Sequence, residues 1–343
     1  MWSRFSALPA YFGGKRALCP VIFKEISRVI PRERWSQTTL LDGFCGGGSV
    51  SLYAKAQGMK VISNDLADRS RIIMDSLIVN DRVTLSDEDI YRLFLGGPSN
   101  RHFVEEHFVP AMFMRKHALF IDQAIAAIAD IAHRTKQQLL RLALVKYMLK
   151  ITPYSQIHSV DYFQKLETDA YEGLGRSRTK KIPYTCMHPV RILQETKEQI
   201  NAAVFPSGHV NEAHQEDVFE FLSRTKGDIC YLDPPYAGAQ PYEVFYGVLD
   251  QIIERREQPR AVSAFNSQDA GKFVMQLLDC ARHFPVVVLS YGSQRYSLQE
   301  FDLMVHAVAP AAAVHQVNFR YAFTRKSDAE AVRKELLAVV THG

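Results

Sequence analysis

The chain has 343 residues, 47% hydrophobic, 11% aromatic and 23% charged, with a formal net charge of +4; this ordinary globular mixture excludes disordered, collagenous and disulfide-framework classes. At this length one large or two smaller domains are expected, burying about three quarters of the unfolded surface, so the core requires neither disulfides nor metal. Apolar runs such as that around Val286 to Leu289 fall far short of the ~18 residues of a membrane span, and MWSRFSALPAYFGGKR has no apolar leader run, which points to a cytoplasmic protein.

In chain order, Thr38 to Phe44 (TTLLDGF) predicts a short strand closed by CGGGS, followed by a helix from Val50 to about Gln57. Lys60 to Asp65 predicts a second strand, and Leu66 to Ile78 a second helix. Between about Asp81 and Phe205 the rhythm changes. Amphipathic helices over Ile121 to Ala132 and Gln137 to Lys150 lead into a glycine- and aromatic-containing loop region ending near His188. Alternation resumes with a strand at Asp228 to Asp233, a helix near Tyr242 to Ile253, a strand at RAVSAF, a helix over Ala270 to Cys280 and a buried-type strand at PVVVLSY. HQVNFRYAFT and a helix over SDAEAVRKELLAVV close the chain. Strands alternating with helices imply an α/β fold with a doubly wound, mostly parallel sheet. The simplest organisation is an α/β domain of residues 1–80 and 206–343, interrupted by a mainly helical insert at 81–205.

Charge is concentrated in that insert: residues 134–205 carry 12 Lys and Arg against 6 Asp and Glu. The peak is GRSRTKKIPY, where Arg176, Arg178, Lys180 and Lys181 have no acid among them. Such a run is either a solvated loop or a phosphate-contacting one that releases counterions on binding nucleic acid. The five cysteines (Cys19, Cys45, Cys186, Cys230, Cys280) include no C-x-x-C, and the twelve histidines no H-E-x-x-H. Free thiols in a reducing compartment and no bound metal are expected.

Two stretches carry chemistry. In DGFCGGGS, Gly46, Gly47 and Gly48 remove side chains where a strand turns sharply into a helix, which suits tight packing or close approach to a ligand. The turn is neither a phosphate-binding G-x-x-x-x-G-K-[ST] loop nor a complete G-x-G-x-x-G. Asp65 ends the next strand about 20 residues on, the place where an acid accepts from ribose hydroxyls; the alternative is a helix cap. The second stretch is Asp233, Pro234, Pro235 and Tyr236, after the apolar strand ICYL. Two prolines fix an extended turn and remove two amide donors, leaving acceptors. A carboxylate, a rigid carbonyl and an aromatic face suit an amino group on a planar ring. If the Asp233 carboxylate and the Pro234 carbonyl each hold one amine hydrogen, the nitrogen can become tetrahedral and aim its lone pair at an electrophile, with Tyr236 stacked on the base.

These residues resemble the Dam-like, alpha-class DNA adenine methyltransferases. AYFGGKRAL, with Tyr11, Gly13, Gly14 and Lys15, is similar to the family's N-terminal motif; LLDGFCGGGSVSLYA, with Asp42, Phe44, Gly46, Gly48 and Ser49, to its methyl-donor loop; SND, ending in Asp65, to its ribose-binding acid; and LDPPY to its catalytic motif. More softly, HQEDVFEFL resembles the segment whose acid, here Asp217, holds the donor's adenine amine, and LSYGSQRY resembles S-Y-N-x-S with Gly292 in place of Asn. RTKKIPY stands where the family has F-N-V-P-Y, without the Phe-Asn pair. The resemblance covers about residues 9 to 80 and 206 to 325. It implies a Rossmann-like methyltransferase fold and methyl transfer from S-adenosylmethionine to the exocyclic nitrogen of adenine in double-stranded DNA, with the base flipped out of the stack. It further implies catalysis by Asp233, Pro234, Pro235 and Tyr236, with Asp233 also at the donor, Lys15 on donor or base, and DNA contacts from Arg176, Arg178, Lys180 and Lys181. Methylation of RNA adenine, of cytosine N4 or of a glutamine, or a DNA-binding module without turnover, are the alternatives.

Overall fold

The computed structural model describes residues 3–10, 14–95, 102–151, 187–236, 242–257, 265, 270–292, 296–320 and 332–342. Seven strands form one sheet: β1 (Thr39–Asp42), β2 (Lys60–Asn64), β3 (Glu212–His214), β4 (Ile229–Leu232), β5 (Val286–Gly292), β6 (Ala313–Arg320) and β7 (Val332–Thr341). Their order is β3-β2-β1-β4-β5-β7-β6. β3, β2, β1, β4 and β5 run parallel, and β7 runs antiparallel to both β5 and β6.

Every residue of β4 (ICYL) and β5 (VVVLSYG) is buried, as expected of parallel strands covered on both faces. Side chains alternate between two cores. Ile229, Tyr231, Val286 and Val288 face one with Leu337 and Val339; Cys230, Leu232, Val287 and Leu289 face the other with Leu336 and Ala338. On the first face lie α1 (Cys19–Val29), α2 (Ser49–Ala56), α3 (Asp68–Ile73), α4 (Asp87–Leu95), α5 (Phe103–Phe108), α6 (Arg115–Ala129), α7 (Arg134–Ile151) and α8 (Pro189–Asn201), of which α6 and α7 overlap the helices expected at Ile121 to Ala132 and Gln137 to Lys150, joined by α10 (Tyr242–Glu254). The second face is covered by α9 (Val218–Arg224), α11 (Ala270–Cys280) and α12 (Leu298–His306). Leu139, Leu142 and Tyr147 of α7 therefore share a core with Ile72, Leu77 and the sheet. Among the described residues no helix is long and apolar enough to cross a membrane.

The closing segment differs from the helix expected of it: Val332–Thr341 is β7, inserted between β5 and β6. Residues 335 to 340 are all buried, and ladder hydrogen bonds to two neighbours outweigh the helix preference of Glu, Leu and Ala. The strand expected at RAVSAF, residues 260–265, lies outside the described residues except Phe265. β1 leads away to β2 and β3, while β4 leads to β5 on the other side. The carboxyl ends of β1 and β4 thus flank the point where the strand order reverses, the place where such sheets open a crevice for ligands.

Candidate active site

β1 pairs with β4 so that Asp42 lies opposite Tyr231, and the Gly43 amide donates to the Tyr231 carbonyl at 3.0 Å. This register sets the glycine turn after β1 beside Asp233, two residues past Tyr231. The turn has two left-handed glycines, Gly46 (φ 50°) and Gly48 (φ 76°). At Gly48 a Cβ would stand 2.7 Å from a methyl of Ile73, so its absent side chain serves packing of α2 as well as backbone shape. Gly46 points its amide at Asp65 Oδ2, 2.7 Å away, while Asp65 Oδ1 accepts from the Ala67 amide at 2.9 Å. Asp65 therefore ties the turn to the tip of β2 and caps the following segment. Each of its oxygens keeps a second acceptor direction for a ligand hydroxyl.

Asp42, expected at the donor, lies behind the turn at the end of β1. It is 1% exposed and accepts from the Ser51 hydroxyl at 2.6 Å, which in turn meets the Ser63 hydroxyl at 2.8 Å. Burial pushes its carboxyl up to about 7, with the Ser51 hydrogen bond opposing and Asp233 adding to the rise. Asp42 acts on the turn from behind. Ser49, the first residue of α2, is buried too.

Asp217 caps α9, its Oδ1 accepting from the amides of Phe219 (2.8 Å) and Glu220 (3.4 Å). Asp217 is exposed, and Oδ2 faces no hydrogen-bond donor among the described residues. Beside it Phe265 meets Phe44 edge-on at 5.4 Å and stacks with Phe219 at 6.1 Å. Phe219 lies within HQEDVFEFL, but its pairing with Phe265 is not expected from that motif. Two carboxylates and an aromatic wall at the mouth of a switch-point crevice are a donor set that fits the hydroxyls, amine and ring of an adenosine-type ligand.

Asp233 leaves the tip of β4, 16% exposed. Pro234 behind it is buried and Pro235 half-buried. The Lys15 ammonium, on a single 3₁₀ turn after Gly14, lies 2.8 Å from both Asp233 oxygens, so the structure brings Lys15 to Asp233. Lys15 also donates to the Tyr236 hydroxyl, and 3.3 Å away lies Glu335 Oε1 of β7. Tyr236 Oη is 2.7 Å from Asp233 Oδ1 and 2.7 Å from Glu335 Oε1, and the Ser290 hydroxyl of β5 donates to Glu335 at 2.6 Å. Burial raises the Asp233 carboxyl to about 6; Lys15 opposes this and Glu335 adds to it.

Here Tyr236 differs from the expectation of a stacking face. Its ring is 9% exposed, lies over Gly292 and packs on Tyr291 with centroids 5.0 Å apart. Its hydroxyl is drawn inward by three ionisable partners. Glu335 lies outside every sequence motif, and Ser290 belongs to LSYGSQRY, where its hydrogen bond to Glu335 is not expected. Tyr11, Gly13, Arg176, Arg178, Lys180 and Lys181 lie outside the described residues. Among the described residues no group of His, Cys, Asp and Glu converges as metal ligands do.

The chain is 28% identical over 308 residues to the type II methyltransferase M2.HphI of Haemophilus parahaemolyticus, a match covering 88% of this chain and 90% of that protein. It is 24% identical to the modification methylase LlaI of Lactococcus lactis subsp. lactis, covering 97% of this chain and 54% of that protein. The solved structure of a SAM dependent methyltransferase from Agrobacterium tumefaciens is similar with a TM-score of 0.34 at 12% identity, covering 92% of this chain and 62% of that one. Residues 11–298 match the family model of the D12 class N6 adenine-specific DNA methyltransferases. That span takes in the Lys15 turn, the glycine turn, Asp65, Asp217 and the Asp233 to Tyr236 tetrapeptide, and the chain belongs to this family of S-adenosylmethionine-dependent enzymes.

Proposed function

We propose that the chain methylates N6 of a target adenine in double-stranded DNA, with the base swung out of the helix so that its amine meets Asp233. The observation that carries this reading is the Asp233 carboxylate at the tip of β4, 16% exposed and held by Lys15 at 2.8 Å, beside the glycine turn and Asp65. S-adenosylmethionine, when bound, supplies an electrophilic methyl on a sulfonium. Asp65 and Asp217 suit its ribose hydroxyls and adenine amine, and Phe44, Phe219 and Phe265 suit its ring.

Asp233 accepts one hydrogen of the target amine and the Pro234 carbonyl accepts the other. The amine's lone pair, otherwise delocalised into the ring, is thereby turned toward the methyl. Nucleophile and electrophile held in line gain about 7 to 11 kcal/mol over free encounter, so positioning supplies most of the catalysis. Extruding the base costs a few kcal/mol of stacking and pairing. Tyr236 contributes by fixing Asp233, its hydroxyl being within 2.7 Å of Oδ1. We assign phosphate contacts to Arg176, Arg178, Lys180 and Lys181, within the insert of residues 81–205.

Transfer of labelled methyl from S-adenosylmethionine, offered duplex DNA, RNA and protein in parallel, tests the proposal. Label in duplex adenine is the expected result. Label confined to RNA or protein would transfer the same chemistry to another substrate.

A further inference from the structure

Glu335 is the one acid of the Asp233 cluster that lies beyond residues 11–298 of the family match, on a strand that belongs to the sheet's antiparallel part. It is 4% exposed, and its Oε1 lies 2.6 Å from the Ser290 hydroxyl, 2.7 Å from Tyr236 Oη and 3.3 Å from Lys15 Nζ. The donors are few. A phenol has one hydrogen and cannot serve both carboxylates at 2.7 Å, whereas an ammonium has three. Lys15, itself 4% exposed, is the charge these two acids share.

If Asp233 is to accept an amine hydrogen, Lys15 must yield part of its hold on that carboxylate. A buried ammonium left without a counter-charge is strongly disfavoured. We propose that Glu335, fixed by Ser290, is a positioning residue that keeps the Lys15 ammonium and the Tyr236 hydroxyl in place while Asp233 exchanges Lys15 for the target amine. No proton or bond changes hands at Glu335; it is an alternative seat for a cation. The inference rests on the proposed role of Asp233.

Charge gives this role a signature distinct from packing. Among the described residues the groups facing Asp233 are Lys15 from the N-terminal segment, Glu335 from β7, Tyr236 from its own loop, and Asp42 and Tyr231 from β1 and β4. Glu335→Gln keeps the acceptor for Ser290 and Tyr236 and removes only the charge, so the Lys15 ammonium then pairs more strongly with Asp233. With a like charge gone and its counter-ion strengthened, the Asp233 carboxyl moves down.

The test compares wild type, Glu335→Gln, Ser290→Ala and Asp233→Ala for kcat and KM on duplex DNA from pH 5 to 9, with thermal melts and donor-binding calorimetry. For Glu335→Gln we expect kcat to fall about 10-fold with donor affinity within about 2-fold, and the acid limb of kcat to move down by about half a pH unit or more. An unchanged kcat, or a lower kcat with an unmoved acid limb, overturns the role. Should Glu335→Gln fail to fold, Ser290→Ala decides: a fall of about 3-fold or more in kcat at unchanged donor affinity supports the role, and an unchanged kcat overturns it. Turnover retained by Asp233→Ala, or no transfer to DNA by wild type, would instead sink the reading of Asp233.

Discussion

The ring of Tyr236 occupies the space where a side chain on residue 292 would stand: a Cβ on Gly292 would lie 2.5 Å from Tyr236 Cδ2 and 2.6 Å from Cε2. Gly292 ends β5, so the strand and the loop after β4 touch backbone to ring. Where the related motif has Asn, this chain has glycine, and Tyr236 fills the gap with its hydroxyl turned to Asp233 and Glu335. Gly292→Ala should force the ring out and break both 2.7 Å contacts of the hydroxyl, with Asp233 and with Glu335. Overpacking of this kind costs about 1–3 kcal/mol. We expect a lower melting temperature and a lower kcat, with donor affinity retained. Normal turnover in Gly292→Ala would show that the inward Tyr236 is dispensable.

Asp233 must be ionised to accept a hydrogen from the amine. Its carboxyl is raised to about 6, by burial first, with Lys15 opposing. Its useful form is therefore present above about pH 6 and lost as pH falls through that value. A kcat profile in duplex methylation should show an acid limb there, absent from the donor-binding profile.

Asp42 gives a prediction of opposite kind. Its folded carboxyl is raised to about 7 from 3.8, so between these values the native state holds a proton that the unfolded chain lacks, and stability rises as pH falls through that window. Asp42→Asn removes this dependence. Its melting temperature should respond less to pH between 4 and 7 than that of wild type, and donor affinity should change by less than about 3-fold. A loss of donor binding comparable to that of Asp65→Ala would mean that Asp42 faces the ligand after all.

Asp65→Ala removes the acceptor for both the Gly46 and Ala67 amides. Losing such charge-assisted bonds costs about 1.5–3 kcal/mol, and donor affinity measured by calorimetry should fall by about 10- to 100-fold. Donor affinity equal to wild type would place the ribose elsewhere.

Replacing Arg178, Lys180 and Lys181 together by alanine should weaken duplex binding and flatten its dependence on salt, by about 0.9 in the logarithmic slope for each phosphate no longer neutralised. Fluorescence anisotropy over a salt series measures this, and an unchanged slope would return the loop to solvent.

The residues that turn the chain are the legible part of the site. The glycine run after TTLLD, Asp65 at the end of KVISN and the tetrapeptide after ICYL are local signals, and the observed strands and turns fall where they predict. Glu335 leaves no such trace. Its segment reads as a helix because Glu, Leu and Ala favour one, and with residues 335 to 340 all buried no polar alternation marks a strand. Only its place between β5 and β6 makes it one. The inward turn of Tyr236 is hidden for a related reason, since it depends on an absent side chain 56 positions away in the sequence. Asp42 matches a binding pattern, yet Ser51, the hydroxyl that hydrogen-bonds it, stands in the same motif with nothing in the pattern to show that it points back at the acid.

The most direct measurement is nucleoside analysis of duplex DNA digested after incubation with S-adenosylmethionine and either wild type or Asp233→Ala, each first shown by calorimetry to bind the donor. Wild type should yield N6-methyladenine in the duplex, and Asp233→Ala none while still binding the donor. N6-methyladenine formed at comparable rate by Asp233→Ala, or methyl found on cytosine instead, would contradict the assignment of this carboxylate to the adenine amine.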